Sequence, residues 1–314
     1  MKTIIAFFRL ARWSNLVFLA LTQWLFIYCI VLPIFNAAHY VPNIHGYLIF
    51  CLIISYSFVA GGGYIINDYF DLNIDQINKP EKVMIDRYIG RRWAIILHFL
   101  FSFISICIGV YVDFQTDQHI LGGANLFNAI LVFVYSLSLK KKLLAGNIVI
   151  AFLLAWAIVV ITCCEINQFL LPIREQIINT QKLLRYTFLY AGFAFIGNII
   201  REVIKDMEDV EGDRKYGCRT MPIAWGMNAS KVFVSVWLVM LIGILSILLI
   251  YSIHIRWYLF SLYGLLLIVI PLIVVFKKMF AATNAKDYHD ISFLMKIVMF
   301  TGILSMFFFR IYGQ

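Results

Sequence analysis

Charge is what this chain has least of. Asp, Glu, Lys and Arg make up only 14% of its 314 residues, against about a quarter in an ordinary soluble domain. No stretch between the apolar runs is long enough for a separate soluble domain. The six cysteines (Cys29, Cys51, Cys107, Cys163, Cys164 and Cys218) show no metal-ligand spacing, and most lie inside apolar runs. They read as small core hydrophobes, not as a disulfide framework or a zinc site. After the short basic segment Met1–Arg12 the first apolar run has no clear small-residue cleavage site, so it reads as a retained helix and not as a signal peptide.

What is abundant is apolar surface. Hydrophobic residues make up 62% of the chain, and runs of about 20 residues, the length that crosses a bilayer, recur from end to end. Nine spans are expected, at about 14–34, 46–66, 93–111, 120–138, 146–165, 185–204, 230–252, 255–276 and 292–311. The fold class is therefore all-α: a polytopic membrane protein, with residues 1–314 as one transmembrane domain.

Charge also orients the chain. Nine spans put the N-terminus and the loops near 67–92, 139–145, 205–229 and 277–291 on one side, and that side carries 20 of the 26 Lys and Arg. The positive-inside rule makes it cytoplasmic, in the cell membrane. The net charge of +9 is then topogenic charge plus attraction for an anionic substrate, and nucleic acid is not an expected partner. Of the 17 acids, 13 lie on the same side, which the rule does not require.

Those acids are concentrated in two segments, Asn67 to Asp75 and Arg201 to Asp213. Carboxylates close to a bilayer are candidate functional groups. On a helix Asn67, Asp71 and Asp75 lie four residues apart and share a stripe within about 80° of arc, with Asp68 beside it. Glu202, Asp206, Asp209 and Asp213 stay within roughly 60°. Such faces repel themselves unless cations neutralise them, and their hard oxygens suit Mg²⁺ bridging to phosphate. A solvated acidic face at the membrane surface is the plainer alternative. Basic residues interleave: Lys79, then Lys140 with Lys141 and Lys142, and Arg201 and Lys205 around the second stripe. Carboxylates with Lys and Arg in one cavity suit a metal-bound diphosphate, whereas each base alone is equally well topogenic. His98 and His254 read as structural or exposed.

Asn67-Asp68-x-x-Asp71-x-x-x-Asp75 followed by Asn78-Lys79-Pro80 resembles the first signature of the UbiA superfamily of intramembrane prenyltransferases. Asp206-x-x-Asp209-x-x-x-Asp213, with Lys215, Gly217, Thr220 and Pro222 behind it, resembles the second. Arg9, Arg12 and Asn15 look like the family's basic N-terminal segment. Tyr135-Ser136, Leu139-Lys140 and Gly146-Asn147 look like its fourth-to-fifth-span connection. Arg201-Glu202-x-Ile204-Lys205-Asp206-x-Glu208-Asp209-x-Glu211-Gly212-Asp213 most closely resembles the digeranylgeranylglyceryl phosphate synthase branch. The stretch Pro80 to Tyr88 departs from the Arg-Pro-x-x-Ser-Gly-like continuation of many members, leaving acceptor and prenyl length open.

The resemblance implies nine helices around a central cavity open to the cytoplasm. It implies Mg²⁺ held by Asn67, Asp71 and Asp75 and by Asp206, Asp209 and Asp213. Lys79, Lys140, Arg201, Lys205, Arg9 and Arg12 would bind a prenyl diphosphate donor, and Asp68 or Glu202 would take the proton of a lipid-like hydroxyl acceptor. The implied reaction is Mg²⁺-dependent transfer of a geranylgeranyl-type group to a prenylglyceryl phosphate, an ether-lipid synthesis within membrane lipid. Two alternatives stand: an aromatic prenyltransferase acting on a quinone-type precursor, and, remotely, a divalent cation transporter.

Overall fold

The apolar runs fold as helices that extend past the expected spans at their polar ends. In a computed structural model the described residues are 2–80, 83–117, 119–166 and 179–312. Glu81 and Lys82, and Arg174 and Glu175 from the charge pattern, lie outside them. The elements are α1 (Lys2–Leu10), α2 (Trp13–Ala37), α3 (Tyr47–Asn78), α4 (Arg91–Thr116), α5 (Leu121–Leu137), α6 (Ala145–Glu165), α7 (Thr180–Glu208), α8 (Val210–Lys215), α9 (Met221–Ala224), α10 (Met227–His254), α11 (Tyr258–Ala281) and α12 (Ala285–Tyr312).

Among the described residues eight helices are long and apolar enough to cross a membrane. Eight rather than the expected nine are of full length: the run placed at 120–138 becomes α5, whose 17 residues rise about 25 Å, short of a hydrocarbon core of about 30 Å. Both ends of α5 explain its length. At its start the Asp113 carboxylate, buried at the end of α4, accepts the amides of Leu121 at 2.9 Å and Gly122 at 2.8 Å. An anion on free N-terminal amides is the favoured way to begin a helix. At its other end the chain tightens into a 3₁₀ turn, Leu139–Lys141, which takes Lys140 off the helix surface and toward the site.

Two helices widen where proline removes an amide. Ile27–Val31 in α2 and Leu265–Val269 in α11 are π turns, and each precedes a proline, Pro33 or Pro271. Proline cannot donate to the carbonyl four residues back. For Pro271 that carbonyl is Leu267, and the Thr301 hydroxyl on α12 donates to it at 2.8 Å. A hydroxyl from a neighbouring helix thus fills the gap that proline opens in an apolar medium.

Close packing brings α3 against its neighbours. A Cβ added at Gly63 would lie 2.6 Å from Val132 Cγ1 on α5, so only glycine permits that approach. On α4, buried His98 contacts the Gly62 carbonyl at 3.0 Å and stacks on Phe133, a structural role as expected. The end remote from the acidic segments is stapled by Glu165, which accepts the amides of Asn43 at 2.8 Å and Ile44 at 3.0 Å. Helices α2, α3, α6, α7 and α12 surround an apolar cavity with about 770 Å³ of atom-free space. The chain is an integral membrane protein built around that cavity.

Two stability outcomes are expected. Asp113→Ala, which leaves the start of α5 without its anion, should destabilise the protein by about 1–2 kcal/mol. A lowered midpoint in detergent thermal unfolding would show it, with Asp113→Asn in between. Thr301→Val should cost about 0.5–1.5 kcal/mol by orphaning the Leu267 carbonyl, and Thr301→Ser should restore it; equal melting of Val and Ser variants would contradict this.

Candidate active site

The first stripe stays on one continuous helix. α3 runs straight through Asn67, Asp71 and Asp75 to Asn78, so the three keep one face. Asn67 and Asp71 are buried and Asp75 is half-buried. Asn67 Nδ2 donates to Asp71 Oδ2 at 2.6 Å, which leaves Asn67 Oδ1 buried without a hydrogen-bond partner.

The second stripe is on a broken helix. α7 ends at Glu208, Asp209 has non-helical backbone, and α8 restarts at Val210. The break is where α8 meets the end of α3. Asn78 Nδ2 donates to the Asp209 carbonyl at 3.0 Å, and the Gly212 amide donates to Asn78 Oδ1 at 2.8 Å. A Cβ on Gly212 would lie 2.6 Å from the Asn78 amide group, so glycine is required for the joint. Asn78 therefore does more than close the first helical segment: it fastens the two acidic segments together.

Lys140 enters between them. It pairs with Asp71, and Asp75 and Asp213 also lie within its field. Burial opposes its charge, but the carboxylates, Asp71 foremost, hold its pKa above the ordinary lysine value. Asp213 is buried, and burial pushes its pKa up to about 6, with Asp209 and Asp71 adding to the rise and Lys140 opposing it. Asp206 accepts a hydrogen bond from Asn147 Nδ2 at 2.8 Å. On the sequence alone Asn147 was part of a family-like stretch without a role; here it orients a site carboxylate. Lys79 binds Asp209 at 2.7 Å and Glu208 at 3.1 Å. Burial works against its charge too, and these carboxylates outweigh it.

The remaining candidates divide. Asp68 is held by Arg12 at 2.7 Å, and that guanidinium also sits 5.1 Å over the Tyr64 ring. Glu202 is held by Arg201 at 2.8 Å and Lys205 at 3.4 Å. Arg9 is exposed on α1. The structure thus gathers Asn67, Asp71, Asp75, Asp206, Asp209, Asp213, Lys79 and Lys140 at one end of the bundle. Arg12 with Asp68, and Arg201 with Glu202 and Lys205, form flanking ion pairs. Among the described residues no set of three or more carboxylate, histidine or cysteine side chains is already closed around a point that would hold a metal.

The donor set nevertheless fits a hard divalent cation. It offers an orphaned amide oxygen on Asn67 and several carboxylate oxygens, from Asp71, Asp75 and Asp213, grouped around Lys140. Mg²⁺ keeps several waters and shares its coordination with phosphate, so it needs few direct protein ligands.

Comparison with known proteins agrees. Residues 24–300 match the UbiA prenyltransferase family. The digeranylgeranylglyceryl phosphate synthase of Methanosphaera stadtmanae is 31% identical over 255 residues, covering 79% of this chain and 83% of that one. The synthase of the same name from Methanothermobacter thermautotrophicus is 33% identical over 175 residues, covering 55% of this chain and 54%, about half, of the relative. Among solved structures, one of a digeranylgeranylglyceryl phosphate synthase superposes with a TM-score of 0.60 at 20% identity, covering 98% of this chain and 99% of that chain. A UbiA homologue from Archaeoglobus fulgidus, bound to DMAPP and Mg²⁺, superposes with a TM-score of 0.59 at 16% identity, covering 95% and 99%. With two acidic segments joined over one apolar cavity and a family match across most of its length, the chain belongs to the UbiA prenyltransferase family.

Proposed function

We propose that this protein is a Mg²⁺-dependent prenyltransferase that moves a geranylgeranyl-type group from an allylic diphosphate to the hydroxyl of a prenylglyceryl phosphate, forming an ether lipid. The observation that carries the reading is the joint of α3 to α8. It joins the end of the first acidic segment to the second, with Lys140 paired to Asp71 and near Asp213, and helices α3 and α7 also line the apolar cavity, which supports one shared site. The synthase name shared by the relatives supports the acceptor class. The clustering of Lys and Arg supports a cell-membrane location with the site facing the cytoplasm.

In this reading Asn67, Asp71 and Asp75 on one side, and Asp206, Asp209 and Asp213 on the other, hold Mg²⁺. An ion held by these residues would supply positive charge for the diphosphate leaving group. Lys140 and Lys79 add positive charge at the same end of the bundle. Asn147 and Asn78 keep the second stripe turned toward the first. The allylic C–O bond breaks with its electron pair leaving on diphosphate oxygen. The acceptor hydroxyl oxygen forms the new C–O bond and gives up its proton, for which Asp68 and Glu202 are the candidate acceptors. The apolar cavity excludes water, which would otherwise trap the electrophilic carbon.

Membranes containing the protein, given labelled geranylgeranyl diphosphate and geranylgeranylglyceryl phosphate, should form a doubly prenylated phosphate, and EDTA should abolish it. If a panel of aromatic acceptors is prenylated and the glyceryl phosphate is not, the acceptor assignment is wrong.

Asp71→Ala and Asp206→Ala should each lower turnover by at least about a hundredfold while the melting profile stays cooperative. Near wild-type turnover in either would remove that stripe from the scheme. Gly212→Ala should lower turnover through the joint, with both stripes chemically intact, and near wild-type turnover would show that the α3–α8 contact is dispensable.

A further inference from the structure

Lys296 lies well inside a membrane-spanning helix and away from the acidic segments. Lys296 is on α12, and its ammonium points into the cavity, where it donates to Asn15 Oδ1 of α2 at 2.8 Å. The site cations Arg12, Lys79, Lys140, Arg201 and Lys205 each pair with a carboxylate. Among the described residues Lys296 has no carboxylate within ion-pair distance. A lone ammonium in an apolar bundle is costly and marks a candidate functional group.

Arg201 lines the same cavity, and its Nε is buried without a hydrogen-bond partner. Arg201 and Arg12 both act on Lys296 electrostatically, but Glu202 and Asp68 balance those two guanidiniums, so the charge at this wall without a carboxylate partner among the described residues is that of Lys296. The other polar residues lining the cavity, Asn15, Thr22, Tyr64, Tyr190 and Asn198, are neutral, and the rest of the lining is apolar. A guanidinium with a spare N–H and an ammonium with spare donors, above an apolar hollow, suit an amphiphile with an anionic head. The location separates this wall from the metal-binding stripes. Arg201 lies five residues before Asp206, about 7.5 Å deeper along α7, and Lys296 and Asn15 come from helices that carry no stripe residue.

We infer that Lys296, oriented by Asn15 and assisted by Arg201, holds the phosphate monoester headgroup of the lipid-like acceptor while the apolar cavity takes its hydrocarbon. The inference rests on the proposed prenyl transfer for its choice of acceptor. Lys296 is then a specificity-determining residue: it selects the second substrate by charge and leaves the donor to the acidic end.

The test uses the full-length protein in detergent. For Lys296→Gln the KM for geranylgeranylglyceryl phosphate should rise about tenfold to a hundredfold, the loss expected when a charge-assisted hydrogen bond is removed. The KM for geranylgeranyl diphosphate should not change, and Lys296→Arg should recover most of the loss. An unchanged acceptor KM, or a rise in the donor KM alone, overturns the inference. A binding arm is independent of turnover and of the variant's folding. The wild-type protein should be stabilised against heating more by geranylgeranylglyceryl phosphate than by the same lipid without its phosphate. Equal stabilisation overturns the inference. A clear preference for the phosphate without any turnover leaves the headgroup site standing and removes the prenyl-transfer reading instead.

Discussion

Several carboxylates held at one end of an apolar bundle repel one another, and Lys140 is the charge that lets them be there. It reaches Asp71 from the first stripe and lies in the field of Asp213 from the second. In a medium of low dielectric both the repulsion and its relief are larger than in water. Lys140 arrives from neither acidic helix. It arrives from the turn after α5, and that turn exists because α5 stops early. The short helix, the tight turn and the lysine are one structural solution: a cation on a long side chain set between two groups of acids.

The two stripes are unequal in a way their similar spacing conceals. The first sits on a single unbroken helix, so its geometry follows from 3.6 residues per turn. The second is interrupted at Asp209, and only the segment up to Glu208 continues α7. The interruption lets Gly212 come up against Asn78 and lets Lys79 grip Asp209 and Glu208. Without the break, α8 would continue along the axis of α7 and Asp213 would not turn toward Lys140. A kink that weakens a helix locally is what closes the site.

Much of this was legible in the chain. Residue period and charge separation placed the apolar runs, both acidic segments and their common side, because burial and bilayer thickness act on whole runs of sequence. The span near 120–138 was visible as apolar, but not that it would fall short of a full crossing, since Asp113 capping its start is a contact across a turn and not a feature of the run itself. Asn147 read as part of a motif and not as the partner of Asp206, because that bond spans 59 positions. The interruption at Asp209 was hidden for the same reason: a continuous helix satisfies the local spacing equally well, and only the approach of Asn78 decides against it.

The acids at the opposite end show why residue type alone is a poor guide to role. Asp113 and Glu165 are as buried as Asp71, yet each spends its oxygens on backbone amides at the start of a neighbouring segment. A carboxylate saturated by amides has its charge balanced locally and gains little from a metal. Among the described residues no backbone amide donates to the side chains of Asp71, Asp75 or Asp213: their balancing charge is the lysine Lys140, on a flexible stem. The distinction between structural and functional acids therefore lies in what neutralises them. A fixed dipole makes a staple, whereas a removable cation leaves room for one that belongs to the substrate complex.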